Sequence, residues 1–184
     1  MKAGVRALGV AESYTGSHST VAGAVVRGDR TVDGFVFDRW TVGGTDATDT
    51  VIALLRRLDR PDIRYLLLSG IAPAWFNVLD LHRIHDATGL PTLSVSFEDS
   101  PGLADAIRRE FEGPARRRRL ATYYAQPDRQ RVDFDGVSCW VRAVGCTEPA
   151  RVVRAFTPEG GRPEPLRVAR LAARAADAGL SGDS

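Results

Sequence analysis

Three carboxylates and one histidine pair are the residues in this 184-residue chain whose types and spacing could do metal chemistry. Glu12 stands just beyond a short apolar run, and Asp46 and Asp49 stand at the head of an amphipathic stretch. Clustered carboxylates hold Mg²⁺ against a phosphate, because the ion takes hard oxygen ligands and the substrate completes its shell. Asp46 and Asp49 would equally serve a helix from its first turn, where the macrodipole favours negative charge. His82 and His85 lie three apart beside Asp80 and Asp86, so both imidazoles could reach one metal. His85 also falls on the apolar stripe of Val78, Leu81, Ile84 and Thr88, which describes a packed histidine. Ser69-Gly70 follows three leucines rather than a G-x-S-x-G elbow, so it does not read as a nucleophile. Cys139 and Cys146 lack C-x-x-C spacing and read as buried free thiols.

A second kind of chemistry is carried by arginine. Of 25 basic residues only Lys2 is a lysine, and the planar guanidinium suits phosphate and carboxylate recognition. Arg116, Arg117, Arg118 and Arg119, with Arg108 and Arg109 nearby, make the dense basic patch. It is either a contact to nucleic-acid backbone or a solvated helix face. Trp75-Phe76 is either a wedge or stacking platform for bases or a plug beneath its loop. Net charge is only +2, and the 43% hydrophobic and 26% charged fractions are those of a soluble globular protein. No apolar run approaches the roughly 18 residues of a membrane span, and MKAGVRALGV lacks a signal-peptide core. The expectation is a cytoplasmic protein with one domain over residues 1–184.

The elements that must position these groups centre on Tyr65–Leu68, a continuous apolar run suited to a strand buried on both faces. Ligands bind beyond the carboxyl ends of such strands, which directs attention to Ser69–Asn77. Asn77 reads as the N-cap of a helix over Val78–Thr88, with Asp80 completing a box-like arrangement. Before the run come strands at Val5–Val10, Thr20–Arg27 and Thr31–Phe37. Residues 11–19 form a polar loop, Gly28-Asp29-Arg30 a hairpin turn, and Trp40–Val42 a third short strand or the tail of the second. Thr45 or Asp46 caps a helix to about Leu58, striped by Val51, Leu54, Leu55 and Leu58. Thr92–Phe97 is a strand, and Ser100-Pro101 opens a helix through Phe111. Arg116–Tyr124 is helical, and Val132–Phe134 and Val137–Val144 form a hairpin turning on Asp135-Gly136. Thr147 caps a helix to about Phe156, residues 157–165 are a loop, and Leu166–Ala178 is a last helix with Gly179 at C′.

Three antiparallel strands, then a helix, a buried strand, a helix and another strand describe a ribonuclease H-like mixed sheet, flanked by helices. The fourth strand is expected parallel beside the first. That would gather Ala11, Glu12, Asp46, Asp49 and Ser69 at one end.

The segments VRALGVAES, GTDATD, SGIAPAWFNVLDLHRIHDATGLP and RPEPLRVARLAARA resemble the archaeal endonuclease dU family, distantly akin to endonuclease V. The resemblance spans nearly the whole chain. It implies a ribonuclease H-like fold and Mg²⁺-dependent cleavage of DNA beside deoxyuridine or another deaminated base, as in repair. Asp46 keeps the acidic position at the head of the first helix; with it Glu12 is the other catalytic candidate, and Glu12, Asp46 and Asp49 are the candidate metal ligands. Trp75, Phe76 and Asn77 would probe the lesion, while Arg116–Arg119 and Arg170 hold DNA or RNA backbone. Three positions depart from the family pattern. Ala11 and Ser69 stand where it has Asp, and Arg170 stands where it has His or Asp. A fixed positive charge there opposes a cation, so weak or absent Mg²⁺ binding is expected. The alternative function is a catalytically silent nucleic-acid-binding or regulatory protein on the same fold.

Overall fold

Leu66, Leu67 and Leu68 are all buried, and they feed two different cores. Leu66 and Leu68 join Leu8, Val10, Val51 and Leu54 on one face, while Leu67 joins Ala7, Leu93 and Val153 on the other. A strand covered on both faces has no solvent side, which is why it reads as an unbroken apolar run. The computed structural model describes residues 2–15, 18–134, 136–158 and 161–181.

Among the described residues the strands are β1 (Arg6–Thr15), β2 (His18–Arg27), β3 (Val32–Thr41), β4 (Ile63–Ser69), β5 (Thr92–Ser96), β6 (Gln130–Phe134) and β7 (Val137–Val144). They form one mixed sheet in the order β3-β2-β1-β4-β5-β7-β6. β1 to β3 are antiparallel, and β4 lies parallel to both β1 and β5. This is the expected ribonuclease H-like sheet. Helices α1 (Ala47–Leu58) and α3 (Leu81–Thr88) cover one face. Helices α6 (Pro149–Ala155) and α7 (Glu164–Ser181) cover the other. Gly9 lets α7 approach: a Cβ there would lie 2.2 Å from the Pro165 carbonyl carbon. Helices α4 (Ala104–Glu110) and α5 (Gly113–Tyr124) pack beside the β4 loop through Ile107 and Tyr123. No helix among the described residues is long and apolar enough to cross a membrane.

Several boundaries differ from expectation for identifiable reasons. β1 continues through Ala11 and Glu12, because residues 11–15 pair with β2 instead of forming a loop. Trp40 belongs to the end of β3, where it is buried. Asn77 does not cap α3; Asp80 does, accepting from the Arg83 amide. Helix α4 starts at Ala104 rather than Ser100, Glu148 rather than Thr147 precedes α6, and α7 runs through Gly179. The turn residue Asp135 lies outside the described residues.

Candidate functional site

Strand alternation decides where the first carboxylate points. Ala11 faces α7, packed with Ala24, Val168 and Ala169, so Glu12 faces the other way. The Glu12 carboxylate accepts hydrogen bonds from the Ala74 amide at 2.8 Å, Trp40 Nε1 at 2.7 Å and Ser19 Oγ at 2.5 Å. It therefore fastens the start of the loop after β4. That loop contains α2 (Pro73–Phe76), a single turn in which Ala74, Trp75 and Phe76 have φ of 44°, 59° and 59°. This left-handed backbone is costly for residues with a Cβ, and it persists because its polar groups are tied down. Gly43 donates to the Ala74 carbonyl at 2.7 Å, and the Asn77 amide donates to the Pro73 carbonyl at 2.9 Å. Trp75 is left 55% exposed at the tip, with Phe76 against it edge to face and against Phe111 in turn.

Asp46 and Asn77 form a second fastening. The Asp46 carboxylate accepts from the Thr41 amide and hydroxyl and from Asn77 Nδ2 at 2.6 Å. Burial pushes its pKa upward, but the hydrogen bonds from Asn77 and Thr41 outweigh that and leave it below the ordinary value. Asn77 is fully buried and caps α1, its side-chain oxygen accepting from the Ala47 amide at 3.0 Å. It has no face for a nucleic acid. Asp49 is exposed on α1 and pairs with Arg83 at 2.5 Å. The three carboxylates thus serve three different structural partners.

The basic run divides in the same way. Arg116, Arg117 and Arg118 are exposed on α5, but Arg119 is buried. Its guanidinium lies 3.9 Å over the Phe111 ring and donates to the Phe76 carbonyl at 3.1 Å, the Gly44 carbonyl at 3.1 Å and the Gly43 carbonyl. Burial lowers its pKa. Arg119 is thus a clamp on the aromatic loop and not a phosphate contact. The histidines do not converge either. His82 is exposed, while His85 packs on Gly145 and its Nδ1 lies 2.8 Å from the Leu90 carbonyl. Cys139 is a buried free thiol with its pKa pushed up to about 11 by burial, and Cys146 is half-buried.

Ser69 and Arg170 meet in one cleft, while Ala11 packs with Val168 and Ala169 of α7. The parallel register pairs Val10 with Leu68, which brings Ala11 and Ser69 to the same strand ends. Ser69 and Arg170 line one cleft of about 320 Å³ at the carboxyl ends of β4 and β5, beside Glu12 of β1. Arg129, Arg142, Arg162, Ser94 and Ser96 also line it. Sequence reading passes over these five because they come from separate elements. The one legible signal was the alternation of Ser94 and Ser96 with buried Leu93 and Val95.

These residues do not fit a divalent cation. Ala11, Ser69 and Arg170 offer a methyl, a hydroxyl and a guanidinium, and Glu12, which lines the same cleft, is held by the Ala74 amide, Trp40 and Ser19. Among the described residues no group of three or more His, Cys, Asp or Glu side chains could hold a metal ion.

Relatives share the architecture. The chain is 33% identical over 190 residues to a UPF0215 protein of Methanopyrus kandleri, covering 98% of this chain and 95% of that one. A crystal structure of a protein of unknown function from Archaeoglobus fulgidus superposes with a TM-score of 0.83 at 28% identity, covering 94% of this chain and 98% of that one. Endonuclease V of Ciona intestinalis, solved with an inosine-containing 24mer DNA, shares the fold with a TM-score of 0.64 at 12% identity, over 96% of this chain and 87% of that one. Residues 3–177 match the endonuclease dU family, and the chain belongs to that family.

Proposed function

We propose that this protein binds nucleic acid on a nuclease fold and does not cleave it through a divalent metal. The observation that carries this reading is Arg170 in the strand-end cleft with Ser69. A guanidinium attracts the phosphate that a metal would otherwise neutralise, and it repels the metal itself. Trp75, exposed on a fixed turn, offers a face on which a base can stack, and stacking tolerates any base. Arg116, Arg117 and Arg118 extend the positive surface on the neighbouring helix. Each of these side chains binds or orients; none is asked to move a proton.

The test is one protein preparation assayed twice, with single-stranded and duplex DNA carrying one deoxyuridine or deoxyinosine, and the matching RNA. Salt-sensitive binding is expected in EDTA, with no nicking in Mg²⁺ or Mn²⁺. Nicking by the natural protein that Asp46→Asn abolishes would overturn the proposal. It would restore the metal-dependent repair endonuclease, with Glu12 and Asp46 as ligands.

A further inference from the structure

The strand-end cleft concentrates more positive charge than its own carboxylates offset. Arg129, Arg142, Arg162 and Arg170 line it, and none of the four is in an ion pair among the described residues. Two are fixed by neutral acceptors. Arg129 donates to the Ser100 carbonyl at 2.6 Å, and Arg142 donates to the Tyr123 hydroxyl at 3.2 Å and the Pro127 carbonyl. Such bonds set a guanidinium's direction without cancelling its charge. The other two keep their donors open: Arg162 lies over the Phe97 ring at 4.3 Å, and Arg170 makes no hydrogen bond among the described residues. The carboxylates on the lining are Glu12, whose three neutral donors leave its charge in place, and Glu98, exposed, so four arginines face two carboxylates.

A second observation points into the same space. Ser94 is 3% exposed, lines the cleft, and sits directly across from Arg142 in the β5–β7 pairing. Its hydroxyl has no hydrogen-bond partner among the described residues. A hydroxyl that opens onto the cleft without a protein partner is a donor that a ligand there can use.

We propose that this cleft is a metal-independent phosphate site. Arg162 and Arg170 grip the oxygens of a nucleotide phosphate, Arg129 and Arg142 supply fixed charge, and Ser94 donates its hydroxyl. The fork of an arginine matches phosphate geometry with two parallel N–H bonds. This rests on the reading that the strand ends hold no metal, and it adds the ligand class that the substituted site takes. The phosphate could belong to a strand terminus or to an internal phosphodiester, which share this chemistry.

The full chain is titrated in EDTA with inorganic phosphate, and with oligothymidylates that carry a 5′-phosphate, a 3′-phosphate or neither. Inorganic phosphate should bind and displace the oligonucleotides. Arg162→Gln and Arg170→Gln should each weaken phosphate by about tenfold or more, and Arg64→Gln, exposed near the start of β4 and outside the cleft, should not. Both cleft arginines are exposed, so unchanged melting temperatures will show that the variants fold. A tenfold preference for one phosphorylated end assigns the terminal group. Equal affinity for all three, with displacement by phosphate, assigns the internal phosphodiester. No phosphate binding in EDTA, or equal losses in Arg64→Gln, overturns the site. DNA binding that persists without a phosphate site would sink this inference alone. Metal-dependent nicking with the phosphate site intact would sink the proposed function alone.

Discussion

The Glu12 carboxylate accepts a hydrogen bond from the Ala74 amide at 2.8 Å, joining the middle of the first strand to the strained turn that presents Trp75. The contact binds a sheet strand to a loop 62 residues away. The carboxylate of Glu12 thus anchors the turn that carries an exposed aromatic side chain.

Replacing Glu12 with alanine should therefore leave the Ala74 amide and the buried Trp40 indole without acceptors. A loss of about 1–3 kcal/mol is expected in denaturant unfolding, together with a change in tryptophan emission as the turn loosens. Glu12→Gln keeps one acceptor oxygen and should lose less. Equal, negligible losses in both variants would show that the turn holds without Glu12.

Asp46 should make stability pH-dependent in a defined direction. Its folded pKa lies below the ordinary value because the Asn77 and Thr41 hydrogen bonds outweigh burial. Its contribution is thus complete above the unfolded pKa of about 3.9 and is lost as pH falls through the lower folded value. Asp46→Asn should be less stable than the natural protein near about pH 6, and the gap should narrow toward about pH 3. A constant gap across that range would assign the carboxylate no linked role.

The four consecutive arginines should separate into two behaviours. Converting Arg116, Arg117 and Arg118 to Gln should flatten the slope of log K against log salt for duplex DNA by roughly 0.9 per lost contact, with the melting temperature unchanged. Arg119→Gln should do the opposite, lowering the melting temperature because carbonyls of Gly43, Gly44 and Phe76 lose their donor. Any other division of slope and stability would contradict the burial of Arg119.

Leu67 lies on the α6 side of the central strand, fully buried. Leu67→Ala should cost about 2–5 kcal/mol, measured by urea unfolding. A loss below about 1 kcal/mol would mean that the site collapses around the change with unusual ease.

Placing acidic and imidazole ligands at the strand ends should create a metal site. The combined change Ala11→Asp, Ser69→Asp, Arg170→His places two hard oxygen donors and a neutral nitrogen at the strand ends. It should introduce Mn²⁺ binding by calorimetry, and nicking of deoxyuridine-containing DNA where the natural protein gives none. A folded triple variant that binds no Mn²⁺ would show that these positions do not converge on one ion.

The chain's pattern of apolar residues was enough to determine the sheet. The unbroken Tyr65–Leu68 run required cover on both faces, the alternation and turn residues of the first three segments required antiparallel pairing, and the right-handed crossover rule put the fourth strand beside the first. The residue types at Ala11, Ser69 and Arg170 were likewise legible, because they need no geometry. Direction was not legible. Whether Glu12 replaces Ala11 turns on one step of strand alternation, and β1 continues through both residues where turn-like composition suggested a loop. Asn77 looked like a local cap because Asp80 follows it by three, yet its side chain closes α1, 30 residues earlier. Arg119 could not be told from Arg118 without knowing which face of α5 meets Phe111. The arginine cleft depends on Arg129, Arg142, Arg162 and Arg170, which share no spacing. Only the packing of β7 and α7 against the strand ends brings them together.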